Sequence, residues 1–125
     1  MGEFIGRLAT TPLGMVRGDR LYQLIEDFGF DSHLFAGVIT VPKGFVSDLA
    51  SIPRPLQIFI QKDEPLEAAI IHDWLYSWMC DIRVSRRGAD DIFLEAMTVA
   101  GMGPIKRGLV YNAVRYFGSK SWRVT

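Results

Sequence analysis

Apolar residues follow two different rhythms along this chain. Up to about residue 50 they come in short runs, separated by turn signals at Leu13-Gly14, Gly18-Asp19, Phe28-Gly29 and Lys43-Gly44. Short apolar runs bounded by glycine and proline predict strands. Residues 20–27 and 37–41 are the strand candidates, and Gly18-Asp19 can close a hairpin ahead of Arg20. Pro42-Lys43-Gly44 reads as a turn leading into Phe45-Val46-Ser47-Asp48. After residue 50 the rhythm becomes helical. Residues 52–61 contain Pro53 and Pro55, so a helix there is short and starts at a proline, where the missing N–H costs little. Residues 64 to about 80 predict a longer helix with Pro65 in its first turn. It is apolar on most faces, which marks it as the central, most buried helix. Ser85 suits the N-cap of the next helix, over about 86–100, with Ile92, Phe93, Ala96, Val99 and Ala100 as its apolar stripe. Gly101 and Gly103 end it, and a third helix runs from Pro104 to about Phe117, stopped by Gly118.

These elements predict an α+β fold in one domain over residues 1–125. Short antiparallel β-hairpins fill the N-terminal half. Three helices fill the C-terminal half, built on a central antiparallel helix hairpin with its short connection at 81–84. A chain of 125 residues suits one core.

Composition acts mainly by exclusion. Apolar content is 49%, charged content is 22% and the formal net charge is zero, so no basic field draws the chain to nucleic acid. Arg83, Arg86 and Arg87 cluster, while Lys106, Arg107, Arg115, Lys120 and Arg123 scatter; solvated helix ends and loops explain them more simply than a phosphate-binding patch. Cys80 is the single cysteine, so no internal disulfide forms, and it reads as a small buried hydrophobe. Residues 1–7 carry Glu3 and precede no long apolar run, which is unlike a signal peptide, and no stretch approaches the roughly 20 apolar residues that span a bilayer. Synthesis in a cytoplasm, with no transmembrane segment, is the expectation.

The central helix carries one conspicuous anomaly. His72-Asp73-Trp74-Leu75-Tyr76 places an imidazole and a carboxylate inside an apolar run. Such groups are costly to bury without partners. Asp81 lies midway between His72 and Asp90 in sequence, so a helix hairpin folded near it brings those two to the same height. A carboxylate on one imidazole nitrogen fixes the tautomer and leaves the other nitrogen free as a base. Asp73 sits about 100° further round the helix and points elsewhere, toward the Asp48 loop. Two carboxylates and a backbone carbonyl form a partial shell for Ca²⁺, which prefers oxygen ligands. Bland readings stand beside these. His72 can bond a core carbonyl. Asp73 can cap, or pair with Arg54 or Arg115. Asp48 can cap the short helix with its neighbour Ser51, and Asp90 can sit in a first helical turn for the dipole alone. Tyr76, Trp74 and Trp78 read as core packing with a polar handle.

The ordered segments Val41-Pro42-Lys43-Gly44-Phe45-Val46-Ser47-Asp48-Leu49-Ala50-Ser51-Ile52-Pro53-Arg54, His72-Asp73-Trp74-Leu75-Tyr76, Ala89-Asp90-Asp91-Ile92-Phe93 and Ala113-Val114-Arg115-Tyr116-Phe117-Gly118 resemble a small family from tailed phages and prophages, known as a domain of unknown function. The resemblance implies a phage origin, with other virion or tail proteins as partners. His72-Asp73-x-x-Tyr76 followed by Asp90 and Phe93 is also similar to the helix pair of secreted phospholipases A2, especially the short microbial type. That resemblance implies a hydrolase of phospholipid or another cell-envelope ester. His72 would be the base and Asp90 the orienting carboxylate. Asp73, Asp48 and the Leu49 carbonyl would hold calcium. The disulfides and the Gly/Cys-rich calcium loop of those enzymes are missing here. A non-catalytic virion protein is the alternative. A zinc peptidoglycan hydrolase is a poorer fit, because the chain has only His33 and His72 as histidines.

Overall fold

The computed structural model describes residues 2–16, 19–49, 51–53, 55–57 and 66–123. Six strands come first: β1 Glu3–Ile5, β2 Thr10–Val16, β3 Asp19–Leu24, β4 Phe28–Ser32, β5 Gly37–Val41 and β6 Val46–Ser47. Three helices follow among the described residues: α1 Leu66–Tyr76, α2 Arg86–Val99 and α3 Pro104–Phe117, with a 3₁₀ turn Gly118–Lys120. Residues 55–57 are also helical. The fold is α+β, with two small antiparallel sheets of order β1-β4-β5 and β2-β3-β6.

The first sheet corrects one expectation. Phe28-Gly29 is not a turn; it begins β4, the central strand, which pairs with both β1 and β5. The reason is alternation. Phe28 and Phe30 point into the core, as do Ile39 and Val41 of β5, and all four are buried. Burial of those rings outweighs the local turn preference of glycine. Leu13-Gly14 also lies inside a strand. The β2–β3 register slips between Pro12 and Met15, and Gly14 takes a φ of +92° there. It is a bulge, where glycine tolerates a backbone that other residues resist. The hairpin before Arg20 forms with β2 paired to β3, although Gly18 itself is outside the described residues. The turn at Pro42-Lys43-Gly44 is present, with Phe45 N–H donating to the Pro42 carbonyl at 3.1 Å.

The helical half follows the sequence closely. Every residue of α1 from 68 to 76 is buried. The helix ends at Tyr76, short of residue 80, because Ser77 N–H turns to the Trp74 carbonyl and Cys80 N–H to the Ser77 carbonyl. Trp78 and Met79 in that turn are exposed, whereas Cys80 is buried. Residues 58–65, including the expected start of α1, lie outside the described residues. Ser85 is the N-cap of α2 and its side chain accepts from Gly88 N–H at 2.9 Å. Gly101 ends that helix with a φ of +90°. Tyr76 meets Arg86 while His72 meets Asp90, so α1 and α2 run in opposite directions side by side.

Candidate active site around buried His72

One loop and three helices converge on the His72–Asp90 pair. The imidazole is fully buried, stacked on Phe93 at 4.3 Å between ring centres and tilted against Tyr76 at 4.3 Å. Each ring nitrogen has one partner. Nε2 lies 2.8 Å from Asp90 Oδ1, and Nδ1 lies 2.9 Å from Ser51 Oγ. Neither is a backbone carbonyl.

Asp90 comes from the second turn of α2 and is also fully buried. Its Oδ1 accepts from Tyr76 O–H at 2.7 Å as well as facing His72. Its Oδ2 accepts from Arg115 Nη1 at 2.8 Å, and Arg86 Nη1 stands 3.7 Å away. Burial alone would push this carboxyl up. The hydrogen bond and charge of His72, with Tyr76 and Arg115, outweigh it and hold the group below the ordinary carboxylate range. Asp90 is therefore ionised and Nε2 carries a hydrogen. The same contact raises the Arg115 guanidinium, and burial beside Asp90 raises the Tyr76 phenol.

Asp73 faces the other way, as its rotation around α1 predicts. It accepts from the hydroxyls of Ser47 and Ser51 and, at Oδ2, from Leu49 N–H at 3.0 Å. No arginine among the described residues pairs with it; Arg115 goes to Asp90, and Arg54 is outside the described residues. Burial pushes the Asp73 carboxyl up, against the pull of the two serines and of His72, and Asp48 adds to the push. Leu49 holds a left-handed backbone with φ of +61°, unusual for leucine. That turn sends its N–H to Asp73 and its carbonyl to Gln57 Nε2, 3.1 Å away.

His72 Nδ1, Ser51 Oγ and Asp73 Oδ1 form a row in which Ser51 O–H donates to Asp73 Oδ1 and Oγ faces Nδ1 at 2.9 Å. Asp73 Oδ2 already receives Ser47 and Leu49 N–H. The result is a continuous line Asp73–Ser51–His72–Asp90. Its Ser51–Asp73 end borders a cavity of about 230 Å³, lined also by Phe45, Asp48, Tyr76, Trp78 and Met79.

The donor set does not fit the calcium site expected at Asp73, Asp48 and Leu49. Leu49 offers an N–H where a ligand carbonyl was required, and both Asp73 oxygens are taken by donors. Among the described residues no group of three or more His, Cys, Asp or Glu side chains is placed to hold a metal. His33 sits in the exposed β4–β5 turn, far in role from His72.

Sequence reasoning brought His72 and Asp90 together and turned Asp73 toward the 48 loop. It missed the roles of Ser47 and Ser51. Their signal was chemical: a buried aspartate needs donors, and these hydroxyls flank the loop it faces. It also read the arginines as solvated. Instead, Arg86 donates to the Val114 and Arg115 carbonyls at the end of α3, and Arg123 to the Leu75 and Ile82 carbonyls. The Leu75, Val114 and Arg115 carbonyls lie in the last turns of α1 and α3, so these guanidiniums add donors at helix C-terminal ends.

No curated protein and no solved structure matches the chain. A family described as Protein of unknown function (DUF1353) matches residues 22–114, most of the length, and the chain belongs to that family. The matched span contains Ser47, Ser51, His72, Asp73, Tyr76, Arg86 and Asp90; Arg115 lies one residue beyond it.

Proposed function

We propose that this member of the family is an ester hydrolase in which Ser51 Oγ attacks, His72 is the base and Asp90 orients it. One observation carries the reading: the hydrogen-bonded line from Asp90 through His72 reaches a serine on the wall of a cavity. Serine, histidine and aspartate in this relation are recognised by geometry and role rather than by order in the chain. In the reaction Ser51 Oγ bonds to the ester carbonyl carbon as its proton passes to Nδ1. Asp90 stabilises the imidazolium through Nε2–H. The proton then leaves with the alkoxide, and water, deprotonated by the same nitrogen, releases the acid from Ser51. Asp73, hydrogen-bonded to Ser51, fixes where Oγ points. The His–Asp pairing across two helices is the feature the phospholipase A2 resemblance led us to expect. The interposed serine is a departure from it. The phage resemblance favours a cell-envelope ester as the physiological target.

The test is hydrolysis of chromogenic esters and of phospholipid vesicles by the intact chain. Ser51→Ala and His72→Ala should each cut turnover by at least about 10³-fold. A fluorophosphonate should add one mass label to the wild type and none to Ser51→Ala. Absence of both hydrolysis and labelling in a folded wild-type chain removes the reading.

A second reading, a non-catalytic phage virion or tail component, is favoured by the complete burial of His72 and Asp90 with every polar atom of the pair partnered. It expects His72→Ala to cost about 1–3 kcal/mol of stability, for partners left unpaired, with no activity to lose.

A further inference from the structure

The cavity beside Ser51 is small for a lipid. Its volume of about 230 Å³ compares with ~150 Å³ for a cavity that holds benzene and roughly 300–1,000 Å³ for sites that take drug-sized ligands. One aromatic ring, or a chain of about four to six carbons, fills it. Its carbon surfaces are Phe45, Val46, Tyr76, Trp78 and Met79. Trp78 and Met79 are 59% and 50% exposed, so they stand at the mouth and a longer chain passes them into solvent. The charged side chains among the described lining residues are Asp48 and Asp73, both acidic. An anionic group in this space meets a like charge in a partly desolvated setting.

We infer that the space beside Ser51 accepts a short, uncharged alkyl or aryl group, so that the ester class cleaved is short-chain or aryl rather than long-chain phospholipid. The inference rests on the reading of Ser51 as the attacking oxygen, and it narrows the substrate of that same site. Hydrophobic burial explains the length limit: each carbon that fits should tighten binding about three- to fourfold, and carbons beyond the mouth should add little.

The experiment uses the wild-type chain and amides that it does not turn over. N-methyl amides of two-, four-, six- and twelve-carbon acids, benzamide, and the anionic half-amide of succinic acid are titrated by NMR, following the indole signals of Trp78 and its neighbours. Kd should fall through the four- to six-carbon members and then level, with benzamide bound and the succinic half-amide at least tenfold weaker than the neutral four-carbon amide. Kd that keeps falling to twelve carbons, preference for the anion, or no binding at any length overturns the inference. The matching ester series separates this from the reading beneath it. Binding with the short-chain profile but no hydrolysis removes the nucleophile and leaves the pocket. Hydrolysis that peaks at long chains keeps the nucleophile and overturns the pocket. Trp78→Ala should move the optimum toward longer chains.

Discussion

Two buried aspartates flank the same imidazole and are held by opposite means. Asp90, on the helical side, is surrounded by two guanidiniums, an imidazole and a phenol: Arg115, Arg86, His72 and Tyr76. Asp73, on the loop side, has two serine hydroxyls and one backbone N–H, with Asp48 nearby. Both lose water on burial. Only at Asp90 do the partners outweigh that loss, so its carboxyl goes down while that of Asp73 goes up. The contrast teaches that burial does not set a charge state; the partners do. It also gives the line across His72 a direction, with the carboxyl held down at Asp90 and pushed up at Asp73.

The largest test of this contrast is substitution of each carboxylate. Asp90→Ala strands Arg115, the His72 N–H and the Tyr76 hydroxyl, and should lower unfolding free energy by about 3–5 kcal/mol. Asp73→Asn keeps an acceptor for Leu49 N–H and removes a buried carboxyl that pairs with no arginine or lysine among the described residues, and should change it by about 1 kcal/mol or less. Urea denaturation at neutral pH measures both; equal losses would erase the distinction.

The pH dependence of stability sharpens it next. The folded carboxyl of Asp90 lies below its ordinary 3.8, so the folded state binds fewer protons there than the unfolded one. Its contribution is full above that value and is lost as pH falls through the folded pKa. Asp73 is raised above 3.8, so the folded state keeps its proton longer. Its contribution is full below 3.8 and is lost as pH rises through the folded pKa. Melting temperature against pH should therefore fall on both sides, with Asp90→Asn flattening the acid limb and Asp73→Asn flattening the other. If either variant flattens the wrong limb, the assignment of charge is reversed.

The smallest effects come from single hydroxyls. Tyr76→Phe removes one donor from Asp90 and should cost about 1 kcal/mol. Ser47→Ala removes one from Asp73, should cost somewhat less, and should move the upper limb of the pH profile to higher pH, because the lost hydrogen bond had favoured the charged form. Denaturant midpoints and the same melting series read both.

Local physics explains what was legible beforehand. Ser85 as N-cap, Gly101 and Gly118 as helix ends, and Pro42-Lys43-Gly44 as a turn all depend on nearest neighbours in the chain. The His72–Asp90 contact was legible for a related reason: a short connection makes an antiparallel pair, and the midpoint then sets the register. Phe28-Gly29 was misread because a glycine beside an aromatic looks the same in a turn and in a central strand until its neighbours on both sides are known.

The sequence by itself determined the α+β division, the burial of α1 and the need for something to satisfy His72, Asp73 and Asp90, because periodicity and the cost of burying charge act wherever the chain goes. Only the tertiary structure decided which groups answer that need. Ser51 lies 21 residues from His72, and Arg115 lies 25 from Asp90. Such contacts depend on how a loop with a left-handed Leu49 and the face of a third helix come together in space. No periodicity encodes them, and they settle that one carboxylate meets cations while the other meets hydroxyls.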